Sequence, residues 1–466
     1  MRSSSTSSQR EKASAPHKSS PVPKSFLKER NMDIFTEYEF GGPIGALAVM
    51  LFSHFIVYYL WICLAFNDGA VLIPTSLTDW SSMLGYVREY ASPTWWAAKI
   101  YLGFLLVEGI FGVTLPGFRT DGLPVRSEGW KRLPYLCNAF QSWWLTLIGV
   151  CAAQFMGWIN MASIVDHHGE LLTMSIIVAD SLAIYVYLSA YITRKVNRAS
   201  GNVLYDTFMG INLNPRIGIL DIKLFCEVRI SWMILFFLTF SAACKQYQDY
   251  GYVANSMIIM LIAHLYYCNA CCKGEERILA CFDIIHENFG WMLAFWNLAG
   301  VPFSYCFNSM FLARHAPLDL NWGYFAVCVV VLLFAAWIHD TGNSQKNTFR
   351  QVLDGTFVQR NTFPQLPWGV LKNPKYMQTE CGSKILIDGW FKYARKLPYT
   401  ADIAMALIWG MSCEFTHLLP YFYFIFFVGM ISHRYFRDVD RMQKKYGKDY
   451  KRYCEIVPYV FVPGIY

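Results

Sequence analysis

Four polar stretches of this sequence carry residue types that hold or transform a small molecule. In NSQKNTFR (Asn343 to Arg350), Lys346 and Arg350 are four apart, so on a helix they point the same way and offer two cations to a phosphate or carboxylate. Taken alone, that pair is better explained as a basic flank resting on lipid headgroups. In GWFKYARKLPYTAD (Gly389 to Asp402), Trp390 and Tyr399 offer flat faces for an adenine or nicotinamide ring, and Arg395 and Lys396 add charge. An interfacial aromatic belt accounts for those aromatics equally well. In HRYFRDVDRMQKKYGKDYKRY (His433 to Tyr453), a helix sets Arg434 and Asp438 one turn apart, and likewise His433 and Arg437. Snorkelling explains the basic residues there but not Asp438, Tyr446, Tyr450 or Tyr453, whereas a binding pocket explains both sets. In GNVLYDTFMGINLNPR (Gly201 to Arg216), Gly, Asn and Pro favour turns, Asp206 and Arg216 are placed to pair, and Tyr205 and Phe208 to bury against helix ends. A structured loop anchoring two helices is the favoured account of that stretch.

The elements that position these groups lie in a bilayer. Of 466 residues, 55% are hydrophobic, 17% aromatic and only 16% charged, where a soluble domain carries roughly a quarter charged residues. A spanning helix needs about 20 mostly apolar residues. Such segments, some of them shorter, fall near Pro43–Phe66, Pro93–Leu115, Asn138–Asn160, Glu170–Ile192, Ile230–Ala243, Val253–Cys272, Gly290–Leu312, Tyr324–His339, Ala401–Cys413 and Leu418–Ser432. The expected fold is all-α, a polytopic membrane protein of about ten transmembrane helices. Lys and Arg gather on alternate loops: Arg119 to Arg132, Arg194 to Arg198, Lys273 to Arg277, Lys346 to Lys396 and the tail after His433. By the positive-inside rule both termini are cytosolic. Residues 1–36 read as a disordered basic cytosolic tail and not a signal peptide, because Ser, Pro and Lys dominate and no apolar run is present. Residues 37–466 read as one transmembrane domain.

The formal net charge of +7 sits in short blocks between apolar runs, which is the pattern of a membrane protein and not of a nucleic-acid binder. Most of the 14 cysteines lie inside apolar stretches and Cys271 and Cys272 are adjacent, so the thiols are expected to be reduced. Cys268 and Cys271 have C-x-x-C spacing without a second pair, so no metal is expected. There is no G-x-G-x-x-G after a strand and no Walker loop; a nucleotide here would be held by cationic side chains and aromatic stacking. His264, Tyr266, Tyr267, Asn269, Glu275 and Glu276 lie in or at the end of the sixth span, and Glu108 and Asp180 lie within spans. Such groups are costly in lipid. A lone His or Tyr in a bundle is more often a packing group than a catalyst; the carboxylates are expected to face a polar cavity or a basic partner.

Taken together, these segments resemble the sterol reductase family of the endoplasmic reticulum, which includes Δ14- and Δ7-sterol reductases and the lamin B receptor. Gly201 to Arg216 is similar to that family's first signature. His433-Arg434, Arg437-Asp438, Lys445-Tyr446-Gly447, Asp449 and Tyr453 are similar to its second. The resemblance runs from about Glu37 to Tyr466. EYEFGG (Glu37 to Gly42), GILDIKLFCEVR (Gly218 to Arg229), NACCKGEE (Asn269 to Glu276) and FWNLAGVP (Phe295 to Pro302) are similar to the fungal branch that reduces the Δ24(28) bond in the last step of ergosterol synthesis.

The resemblance implies NADPH-dependent reduction of a sterol double bond, by protonation and then hydride transfer, in the endoplasmic reticulum membrane. The NADPH pocket would lie mainly in residues 340–466 and face the cytosol. Lys346 and Arg350 would hold the 2′-phosphoadenosine or the pyrophosphate, and Trp390 would stack on the cofactor. Arg434, Asp438, Tyr446 and Tyr453 would complete the pocket, and Tyr267 would donate the proton. The implied partners are the sterol, membrane lipid and other enzymes of sterol synthesis, with no nucleic acid. Relatives often carry Cys, Trp and Asn where Met442, Tyr450 and Pro398 stand, which bears on the local shape of the pocket. Other readings are a Δ14- or Δ7-sterol reductase, a membrane methyltransferase of the isoprenylcysteine type and a sterol-binding scaffold. The methyltransferase has fewer spans and a cofactor that is no polyanion; the scaffold carries a large N-terminal interaction domain.

Overall fold

The computed structural model describes residues 35–465 apart from 126–127, 280, 354, 356 and 358–361. All but the last two residues of the expected N-terminal tail fall outside that range. The chain is 66% helical, and three two-stranded antiparallel hairpins qualify the all-α expectation. They are β1–β2 (Phe118–Val125 with Lys131–Cys137), β3–β4 (Arg216–Ile217 with Leu220–Asp221) and β5–β6 (Tyr376–Gln378 with Lys384–Leu386). Each lies in a polar connection, where backbone groups that have no helix to join pair with one another.

Among the described residues, six helices are long and apolar enough to cross a bilayer: α1 (Gly42–Phe66), α2 (Trp95–Thr114), α3 (His168–Ile192), α4 (Ile222–Tyr250), α5 (Asn255–Lys273) and α6 (Trp322–Leu353). Two further helices matter for the site, α7 (Leu397–Met411) and α8 (Phe422–Tyr446). The remaining expected spans are short or broken. Ala139–Phe155 is one short helix. The seventh span breaks into Trp291–Phe295, a π-helical turn at Trp296–Gly300, Val301–Tyr305 and Phe307–Arg314. A π turn leaves carbonyls off the regular ladder; here the Tyr101 hydroxyl donates to the Leu298 carbonyl at 2.8 Å.

The fifth span, expected at Ile230–Ala243, runs from Ile222 to Tyr250. Apolar counting stops at Lys223, Glu227 and Arg229 because it assumes lipid around them, yet α4 is the inner helix, with 72% of its apolar window buried against 22% for α6. Its two cations are met by protein. Lys223 donates to the carbonyls of Asp283, Ile284 and Glu287, each at 2.8 Å. Arg229 pairs with Glu275 at 3.2 Å, and Glu275 also accepts from the Ala139 amide at 2.8 Å. The acids within spans find similar answers. Glu108 accepts from the hydroxyls of Ser142 and Thr146 and has no basic partner, while Asp180 accepts from Trp291 Nε1 at 2.6 Å and faces His54 at 3.2 Å.

The loop from Gly201 to Arg216 is a clasp between helices. Asp206 does not pair with Arg216. Its carboxylate accepts the amides of Ser200 (2.8 Å) and Gly201 (3.1 Å), closing the turn before the short helix Val203–Met209. Arg216 instead meets Asp221 at 3.4 Å and lies 4.3 Å above the Tyr135 ring. Tyr205 and Phe208 are buried as expected. Gly210 has a φ of 82°, and a Cβ there would lie 2.4 Å from the Phe289 carbonyl carbon, so the backbone of residues 289–290 can close on it only while it is glycine. Asn288 Nδ2 ties the two strands of chain by donating to the carbonyls of Asn197 (2.9 Å) and Gly210 (3.0 Å).

Candidate functional site

The site is set by α6, which does not stop at the end of its apolar stretch. Its 32 residues continue through Lys346 and Arg350, so the helical spacing expected for that pair is met and both side chains are exposed. What permits the extension is burial of the polar groups midway. Lys273 of α5 pairs with Asp340, which also accepts from Arg277 at 3.1 Å. Lys273 and Asp340 are 3% and 5% exposed, so this contact fixes α5 against α6 at the point where both helices leave their apolar stretch.

Beyond that point several cations gather close to one another. Among the described residues no carboxylate lies within ion-pair distance of Lys346 or Arg350. Protein crowds Lys346 although it keeps exposed surface, and Arg350, Lys396, Asp438 and Cys281 are its charged or titratable neighbours. Lys396 pairs with Asp438, and Arg441 donates to the same carboxylate at 3.0 Å. Burial alone would raise the Asp438 carboxyl, but Lys396, Arg441 and Lys346 together hold it down at about 2. Asp438 is therefore an anion that orients cations. Arg434 meets Asp283 at 3.0 Å.

Arg395, one residue before Lys396, holds its backbone amide to the Tyr459 carbonyl at 3.0 Å while its Nε and Nη1 are buried with no acceptor. Buried donors of a charged group are normally satisfied. The arrangement fits a polyanionic phosphate-bearing ligand: guanidinium nitrogens without acceptors, two uncompensated cations on α6, and further cations already oriented by Asp438. Tyr453 is 6% exposed; burial pushes its phenol up while Arg395 pulls the other way. Tyr446, Tyr450 and Tyr453 pack with Met377 and Val457 into an apolar cluster beside these cations.

Two of the expected residues sit apart. Trp390 is buried between Trp337 and Trp368, with ring centroids at 5.0 and 4.7 Å, and its Nε1 donates to Thr341 Oγ1 at 2.8 Å. Its surroundings lock the 389–392 turn onto α6. Tyr267 lies deeper, on α5, with Trp232 at 4.5 Å, His339 at 5.8 Å and Trp409 at 6.1 Å between ring centroids. Tyr267 and Asp402 are near enough to act on each other electrostatically. His339 and Lys346 are seven residues apart on α6, about 10 Å along the axis, so the imidazole beside Tyr267 and the cations are carried by one helix. Asp402 and His339 went unassigned in the sequence, whereas Arg395 was already expected to add charge beside Lys396. The one signal of the first two was acid and imidazole at the ends of apolar runs.

Comparison with known proteins bears on this arrangement. The family model described as the Ergosterol biosynthesis ERG4/ERG24 family matches residues 35–466. The chain is 41% identical over 438 residues to the Delta(24(24(1)))-sterol reductase erg4A of Aspergillus fumigatus, covering 92% of this chain and 93% of that protein. It is 41% identical over 447 residues to the Delta(24(24(1)))-sterol reductase of Gibberella zeae, covering 94% and 74%. It is 35% identical over 438 residues to the Delta(14)-sterol reductase of Dictyostelium discoideum, covering 92% of both.

Proposed function

Because the chain belongs to the Ergosterol biosynthesis ERG4/ERG24 family, whose named relatives are sterol reductases, we propose that it is an NADPH-dependent reductase of the sterol C24(28) double bond. That bond is the one written 24(24(1)) in the names of the two fungal relatives, and their 41% identity, against 35% for the Delta(14) enzyme, favours this specificity. The protein would sit in the endoplasmic reticulum membrane as one domain, residues 37–466, with about ten spans, both termini in the cytosol and the cofactor recess facing it. Its partners would be the sterol, membrane lipid and other enzymes of sterol synthesis.

One observation carries the cofactor reading: uncompensated cations at the polar end of α6 share that helix with His339, which stacks beside the buried Tyr267 hydroxyl. Lys346, Arg350 and Arg395 would hold phosphates, with Arg434 beside them, and Asp438 would keep Lys396 and Arg441 aimed inward. Tyr446 and Tyr453 would form the wall of the recess, and Trp390 would shape its floor through Thr341. When bound, NADPH supplies hydride. The chain's own residues supply the proton and the dry surroundings. An isolated alkene accepts hydride only after protonation, so the Tyr267 hydroxyl would protonate C28 and leave a tertiary cation at C24. Trp232 and Trp409 around Tyr267 keep water out and present ring faces to positive charge.

The test is product analysis. Purified protein is incubated with NADPH and, separately, with Δ7, Δ14, Δ24 and Δ24(28) sterols. Loss of the Δ24(28) bond alone is expected; loss of the Δ14 bond instead would reassign the substrate, and no NADPH oxidation with any sterol would overturn the enzymatic reading.

A further inference from the structure

We infer that Asp402 and His339 form the proton feed of Tyr267 and act on the reduction as positioning residues. The inference rests on the assignment of Tyr267 as proton donor and deepens it. Asp402 Oδ2 lies 3.7 Å from His339 Nε2, close enough for electrostatic coupling and too far for a direct hydrogen bond. Asp402 Oδ1 and His339 Nδ1 are buried and have no protein partner. The imidazole lies nearly parallel to the Tyr267 ring, at 22° with centroids 5.8 Å apart, and Tyr267 and Asp402 act on each other electrostatically.

Three other inner carboxylates are occupied, while Glu227 Oε2 shares the lack of a hydrogen-bond partner among the described residues but has no imidazole and phenol grouped with it. Glu108 takes two hydroxyls, Asp180 an indole and an imidazole, and Asp206 two backbone amides. An acid kept in place for packing alone has its oxygens taken up in the same way. Asp402 keeps one free, next to an imidazole that also keeps one nitrogen free and near a phenol that acts on it electrostatically. This grouping is drawn from three helices: Tyr267 from α5, His339 from α6 and Asp402 from α7. Arg434 of α8 also acts on Asp402, so the cluster reaches from the gathered cations to the apolar core.

The step balances as follows. The π electrons of the alkene take the Tyr267 proton to form the new C28–H bond, leaving C24 positive and Tyr267 a phenolate. NADPH, when bound, would supply the hydride pair that fills C24 and would itself be oxidised to NADP⁺. The phenolate recovers a proton from Asp402, which is resupplied through His339 from water at the polar end. The sum is alkene plus NADPH plus H⁺ giving alkane plus NADP⁺.

The experiment uses the full chain in detergent or nanodiscs, with Tyr267→Phe, Asp402→Asn, His339→Gln and the Tyr267→Phe/Asp402→Asn pair. NADPH binding is read by fluorescence, apart from turnover. Asp402→Asn is expected to lower kcat about 100-fold, the ordinary worth of a positioned proton donor, with the Kd for NADPH within about threefold of wild type. The double variant is expected to be no slower than Tyr267→Phe alone, because residues on one proton path do not add. Turnover consumes a proton, so kcat of the wild type falls as pH rises and the feed empties; that alkaline limb should flatten in His339→Gln. The titratable and charged groups that act on Asp402, besides His339, are Tyr267, Cys271, Tyr305, Tyr423 and Arg434. Full activity in Asp402→Asn with an inactive Tyr267→Phe overturns the feed and leaves the donor standing. Full activity in Tyr267→Phe removes the donor and the feed with it. Equal losses of kcat and NADPH affinity in Asp402→Asn would show a structural role and also overturn the inference. Should Asp402→Asn fail to fold, His339→Gln decides: unchanged kcat with an unchanged pH profile refutes the feed.

Discussion

Replacing Asp340 by Ala tests whether α6 is held in place by charge. Lys273 would keep a buried ammonium whose one remaining acceptor is the Pro364 carbonyl at 3.1 Å, and Arg277 would lose its acceptor as well. Removing one partner of a buried pair costs about 3–5 kcal/mol, chiefly because the survivor is left charged in a poor solvent. Both side chains here are almost fully enclosed, so little of that figure is relieved by water. For a chain of this size the cost corresponds to a fall on the order of 5 °C in the unfolding midpoint. Lys273→Met combined with Asp340→Leu removes both charges, and is expected to recover most of the loss. The assay is thermal unfolding in detergent followed by tryptophan fluorescence, with NADPH binding measured alongside, since a displaced α6 should also weaken the grip of Lys346 and Arg350. A midpoint within a degree of wild type for Asp340→Ala, or a double variant less stable than the single, would refute the reasoning.

Arg350→Ala should raise the KM for NADPH by about 10- to 100-fold, the worth of a hydrogen bond to a charged group, and leave the KM for sterol unmoved; steady-state kinetics with equal shifts in both would count against the phosphate role. Gly210→Ala should destabilise by at least about 1–2 kcal/mol for the left-handed backbone alone, more once residues 289–290 are pushed apart, and an unchanged unfolding midpoint would show the clasp to be dispensable. Two cysteines with exposed surface should differ in reactivity. Burial raises the Cys381 thiol but hydrogen bonding with Thr379 and Ser383 and the nearby Lys445 more than reverse it, whereas burial beside Glu227 and Asp283 pushes Cys281 up to about 11. Thiolate is the reactive form, so iodoacetamide near neutral pH should label Cys381 first by mass spectrometry, and raising the pH should bring Cys281 in later; the reverse order would refute the assignment.

What could be read from the sequence was local. Lys346 and Arg350 share a helix face because a spacing of four fixes that whatever surrounds them, and Tyr205 and Phe208 bury because apolar rings beside turn residues have nowhere better to go. The extent of α4 was missed because hydropathy assigns a cost to Lys223 and Arg229 as though lipid faced them, and nothing in sequence shows the three carbonyls or the glutamate that face them instead. Asp206 and Arg216 were misjudged for a related reason. Opposite charges close in sequence suggest a pair, but two free backbone amides stand nearer to Asp206 than any guanidinium. Trp390 carries the same lesson for aromatics: a flat face in a polar stretch says nothing about which side will be covered, and here Trp337 and Trp368 pack against it.

The division of labour along α6 follows from its unbroken length. Within its span from Trp322 to Leu353 it carries lipid-facing valines such as Val330, then His339 beside Tyr267, then Asp340 locked to Lys273, then Lys346 and Arg350. A helix transmits displacement along its axis without loss, so a shift at the buried pair moves the imidazole and the cations together. On the proposed roles, a shift of α6 as a whole would change proton delivery and phosphate binding together, whereas single replacements such as His339→Gln or Arg350→Ala would each act on one of them. They can be tuned independently on α7 and α8, where Asp402 and Asp438 stand on separate helices and meet different partners. On these grounds, apart from His339, Lys346 and Arg350 themselves, substitutions that alter turnover while sparing cofactor affinity should map to α7, and those with the opposite effect to the polar half of α8.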